Sequence, residues 1–122
     1  MTASQLLAAA RLLLDRAGVA VGWRAVAVAA LARQALETAI DDLWGREAAG
    51  TEQASRHTQL LCLPSYADEA IAELAASTWV SLSGACHVRA YDLAPSADEL
   101  SRWLSDTGTV IAGLALTTES CR

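Results

Sequence analysis

The chain has 122 residues, 53% of them apolar, and a formal net charge of −5. That length and apolar content suit one domain, residues 1–122, able to bury a substantial core. The basic residues are scattered singly through an acidic chain, which excludes tight nonspecific binding to DNA but leaves room for a small groove that acts on RNA.

Alanine and leucine dominate, phenylalanine is absent, and the β-branched residues are too dispersed to build strands, so an all-α fold is expected. Thr2 and Gln5 have the spacing of a capping box, and Leu6, Leu7, Ala10, Leu13, Leu14 and Ala17 then recur at helical spacing until Gly18. This predicts a first helix over 3–17. The N-terminus lacks the basic segment of a signal peptide, and Arg11 interrupts its apolar run, so a cytoplasmic location is expected.

A second, longer helix is predicted from about Gly22 to Glu47, with Arg33 placed to pair with Glu37 one turn on. Its longest apolar run, Ala25 to Ala32, falls short of the ~18–20 residues that cross a bilayer, so no membrane contact is expected. The segment Val26 to Leu31 is apolar on every side, which calls for a central position or cover by a second subunit. Trp23, Val26, Ala27, Ala30 and Leu31 are accordingly the expected interface of a homodimer.

Residues 47–56 are small and polar and read as a surface connection. A short helix, His57 to Leu63, then stops at Pro64, and Ser65 with Asp68 resembles the start of a third long helix. Ile71, Leu74, Ala75, Thr78, Trp79, Leu82, Ala85 and Cys86 form its inward stripe. Ser96 and Glu99 make a second capping box, opening a fourth long helix in which Leu100, Trp103, Leu104, Val110, Ile111 and Leu114 face inward, with a frayed tail from Thr117. The expected architecture is a four-helix up-and-down bundle with a short extra helix before the third long one. Trp23, Trp44, Trp79 and Trp103 are expected as core and interface anchors rather than platforms for bases.

The candidate chemistry lies between the third and fourth long helices, where His87, Arg89 and Tyr91 stand within five residues. The segments Ala32-Arg-Gln-Ala-Leu-Glu37, Leu60-Leu-Cys-Leu63 and the stretch from Ala85-Cys-His87 to Tyr91-Asp-Leu-Ala-Pro95 resemble the HEPN superfamily of small helical bundles, and within it an actinobacterial HEPN-like group. The resemblance implies a dimer. It also implies, for many members, metal-independent RNA cleavage by an arginine followed four to six residues later by a histidine.

That pattern is missing here, because no arginine stands five to seven positions before His57 or His87. The resemblance places the arginine at Gly84 and the histidine near Arg89, both substituted. On a helix, residues two apart project about 200° apart, so His87 and Arg89 address one phosphate only if the helix has ended by residue 88.

Glu37, Asp41 and Asp42 offer a carboxylate group on one helix, for which pairing with Arg33 is a sufficient explanation. The three cysteines, Cys62, Cys86 and Cys121, lack CxxC spacing and read as reduced thiols, with Cys62 buried in its apolar run. Cys86 and His87 are adjacent and diverge by about 100° on a helix, so with Cys62 and His57 they make no zinc site. No metal or cofactor is expected. The function expected is noncatalytic interaction or regulation. The alternative is a metal-independent endoribonuclease, or a toxin–antitoxin component with a protein partner, using His87 and Arg89.

Overall fold

In the computed structural model, which describes residues 1–17, 23–87 and 94–120, every regular element is helical. Helix α1 spans Ala3–Ala17, α2 Trp23–Glu47, α3 Arg56–Cys62, α4 Glu69–Ala85 and α5 Ala97–Ser120. Gly18, Arg89, Tyr91 and Cys121 lie outside the described residues. None of the described helices is long and apolar enough to cross a membrane.

Local chemistry sets most helix starts. Thr2 and Gln5 exchange two hydrogen bonds at the head of α1, the Thr2 amide donating to Gln5 Oε1 at 2.9 Å and the Gln5 amide to Thr2 Oγ1 at 3.1 Å. Ser96 and Glu99 repeat the arrangement before α5 at 3.2 and 3.1 Å. At α4 the expectation is corrected: Asp68, not Ser65, is the cap, its carboxylate accepting from the amides of Ala70 and Ile71. Leu63–Ser65 is instead a 3₁₀ turn with Pro64 inside it, which uses up the residues that the sequence offered to α4.

After α2 the chain reverses at Gly50, whose φ of 103° is the left-handed conformation that glycine adopts without steric cost. A 3₁₀ turn, Thr51–Gln53, leads into α3. The helix of α5 continues to Ser120, so the expected fraying from Thr117 is corrected for the backbone.

Helix α2 packs against α1, α4 and α5. It does so through Ala25, Val28, Ala29, Ala32, Ala35, Leu36, Ala39, Ile40, Leu43 and Trp44, all buried, and the many alanines allow three neighbours to approach one axis closely. Glu37 meets Trp79 while Val26 and Ala30 share a groove with Cys86 and His87, so α2 and α4 run antiparallel. Ser4 and Arg11 reach the levels of Ala115 and Gly108, so α1 and α5 also run antiparallel.

The tryptophans divide. Trp44 is fully buried with its ring edge-on to Tyr66, and Trp79 and Trp103 pack partly buried against the core. Trp23, expected as an anchor, is 71% exposed, with the Arg24 guanidinium over its ring. Around α2's first half, Leu31 joins the core margin, Val26 and Ala27 are half-buried, and Ala30 faces solvent.

Gly113 in α5 marks a close approach. A Cβ at Gly113 would stand 2.7 to 3.0 Å from three carbons of Ile71, so α4 and α5 touch here through bare backbone. Gly84, exposed in α4, has nothing within 4 Å of where a Cβ would be. Gly113→Ala is therefore expected to destabilise the fold by a net ~1–2 kcal/mol, because overpacking outweighs the gain in helix propensity. Gly84→Ala is expected to stabilise by ~0.5–1 kcal/mol, and urea unfolding of both variants measures the difference.

Candidate functional site

A polar cluster on the outer side of α2 is built from one carboxylate serving three helices. Glu37 is held by the backbone of α2 at the point where α4 crosses, and its Oε2 accepts from Trp79 Nε1 at 3.1 Å. The same oxygen stands 3.4 Å from Nε of Arg56, at the start of α3. Arg33, the partner expected from sequence, is looser, with Nε 3.9 Å from Glu37 Oε1.

Arg56 then turns its other nitrogens to Asp41 and Gln59. Nη1 donates to Asp41 Oδ1 and to Gln59 Oε1, each at 2.7 Å. Gln59 is 1% exposed, and its Nε2 donates to the carbonyls of Thr51 and Ala54, so the buried amide is satisfied by the loop it fastens. Asp42, the third carboxylate of the expected group, is exposed on a different part of the helix, beside Arg46 and the start of α1.

Sequence reasoning missed Arg56 and Gln59 by assigning Arg56 to a surface connection. The available signal was the pair Glu37 and Asp41: two carboxylates one turn apart call for more cation than Arg33 supplies.

Next to this cluster, a groove of about 480 Å³ runs between α2 and the end of α4, lined by Val26, Ala30, Arg33, Gln34, Glu37, Cys86 and His87. Helix α4 ends at Ala85, and the His87 amide donates to the Gly84 carbonyl at 3.1 Å in the closing turn. His87 is exposed and shares its groove with its neighbour Cys86 and, from α2, with Arg33. Arg89 and Tyr91 lie outside the described residues, so the triplet of candidates is represented by His87 alone.

Gly84, where the resemblance puts an arginine, is exposed and contributes no side chain. His57 is exposed on α3, and Cys62, expected to be buried, is exposed beside Leu61 at 69%. Helix α3 buries Gln59 and packs Leu60 at the core margin, and the chain then buries Leu63, so Leu61 and Cys62 turn outward. Among the described residues no three or more His, Cys, Asp or Glu side chains are grouped to hold a metal ion.

Burial pushes the Cys86 thiol pKa up, with the Arg33 charge opposing the shift and Glu37 reinforcing it. The thiolate is therefore scarce at neutral pH. In a chain with Cys62→Ser and Cys121→Ser, iodoacetamide at pH 8 is expected to alkylate Cys86 more slowly than a free thiol. Arg33→Ala is expected to slow it further, since the opposing charge is gone.

The clasp itself is open to a stability test. Arg56→Ala, which strands Asp41 and the buried Gln59, is expected to cost ~1–3 kcal/mol in urea unfolding, whereas Arg33→Ala should cost under ~0.5 kcal/mol. Equal losses would mean that Arg33 is the true partner of Glu37. In comparisons with known proteins, no family model, no curated protein and no solved structure matches this chain.

Proposed function

We propose that the chain is a noncatalytic HEPN-like interaction protein, a single-domain up-and-down bundle of α1, α2, α4 and α5 with α3 as a short extra helix. It works as a homodimer. The observation that carries this reading is Trp23, 71% exposed and in line at helical spacing with Val26, Ala27 and Ala30, so that the central helix begins with an uncovered apolar stripe. A large aromatic side chain of this kind is a typical binding anchor when a partner covers it. Leu31 borders the stripe and supports it from the core side.

The charges beside the stripe support a noncatalytic role. Glu37 is occupied by Trp79, Arg56 and Arg33, which leaves it poorly placed to take a proton from a substrate. The antiparallel relations of α2 with α4 and of α1 with α5 support the bundle topology.

A second reading, metal-independent cleavage of RNA, either alone or as a toxin held by a protein partner, is favoured by one observation. Arg33 and His87 line a common groove, and a cation with an imidazole is a workable pair for phosphoryl chemistry.

Sedimentation velocity at micromolar concentration separates the oligomeric states. A species of twice the 12.8 kDa chain mass is expected, and Trp23→Asp should return it to a folded monomer. A wild-type monomer ends the dimer reading. Mixed RNA incubated with the protein in chelator should stay intact; fragments that disappear with His87→Ala would establish the second reading instead.

A further inference from the structure

The largest groove described lies elsewhere, between α1 and α5, with a volume of about 630 Å³. Its walls are apolar at Leu7, Ile111, Ala112 and Ala115, and Arg11 is the one charged residue among those lining it. The Arg11 guanidinium reaches across to α5 where the backbone is bare: a Cβ on Gly108 would stand 3.0 Å from its Nη2. Glycine there makes room for the cation.

Unlike Arg33, Arg11 has no carboxylate within ion-pairing distance and no hydrogen-bond acceptor among the described residues. Asp15, one turn further along α1, lines the adjoining groove, which Arg11 and Ser105 also border, and stands beyond ion-pairing distance of the guanidinium. The hydroxyl of Ser105, also in the lining, is likewise without a bond to the described protein atoms.

A trough of this size between two helices, mostly apolar with a few polar groups, has the dimensions of a small-molecule site. Its charge complement is a single negative charge, and its walls complement a hydrocarbon. We propose that this groove binds an aliphatic carboxylate, with the carboxylate on Arg11 and Ser105 and the chain lying along Ile111, Ala112 and Ala115 over the end of α5. The anion gains a charge-assisted bond from a guanidinium that has no competing partner among the described residues, and the chain covers apolar wall otherwise left to water.

Decanoate is the probe, titrated into the full-length ¹⁵N-labelled protein below its micellar range. Saturable one-site shifts are expected at the amides of Leu7, Arg11, Gly108 and Ala112, with decanol and acetate each at least about tenfold weaker. Arg11→Gln should weaken decanoate about tenfold and leave decanol unchanged, while Ala112→Trp, which fills the trough, should abolish both. Arg11 is exposed, so Arg11→Gln keeps the test decisive even if the larger substitution disturbs the fold. Equal shifts with decanoate and decanol, an unchanged response in Arg11→Gln, or shifts confined to other helices would overturn the proposal.

Discussion

Glu37 is the constraint around which the polar half of the structure is arranged. Its carboxylate joins α2 to α4 through the Trp79 indole and α2 to α3 through Arg56, while its backbone belongs to the most buried helix in the protein. A half-buried carboxylate shared in this way is costly to strip of a donor, because its charge is then less fully compensated in a medium less polar than water. Arg56 in turn positions Gln59, and Gln59 closes the loop that follows Gly50. A short, polar, seven-residue helix with little apolar burial of its own is thereby fixed against the longer ones.

The same clasp shapes the groove at the end of α4. By engaging Glu37 and Asp41, it sets Arg33 and His87 beside a surface whose carboxylates are already committed, with Val26 and Ala30 as the apolar wall. The groove between α1 and α5 has the opposite character, a lone guanidinium in an uncharged trough. One face of the molecule therefore has balanced internal charge next to an exposed tryptophan, and another has a charge with no partner among the described residues.

What could be read in the sequence followed the range of the interactions involved. The starts of α1 and α5 were legible because a capping box is complete within four residues, as Thr2 with Gln5 and Ser96 with Glu99 show. The core stripe of α4 was legible from helical spacing, apart from Ala72, one of several alanines in the helix and unmarked by any local pattern. Asp68 displaced Ser65 as the cap because Pro64 formed a turn of its own. The partnership of Glu37 with Trp79 spans 42 residues, and no local pattern announces it. Nor does periodicity reveal that Gln59 is the buried member of α3 while Leu61 and Cys62 face outward, since hydropathy alone orders them the other way. His87 shares its groove with Arg33 of another helix, a juxtaposition that no local pattern announces.

The contact between Gly113 and Ile71 joins two positions far apart in the chain into a single unit of variation. Because the space of a Cβ at 113 is filled by three carbons of residue 71, neither position can enlarge unless the other shrinks. A related sequence with alanine at 113 would need alanine or glycine at 71, since valine keeps both γ carbons, and drift at these sites would proceed by paired, compensating steps. That coupling would be visible as covariation between the start of α4 and the end of α5, a record of helix spacing written in sequence and independent of whatever the protein binds.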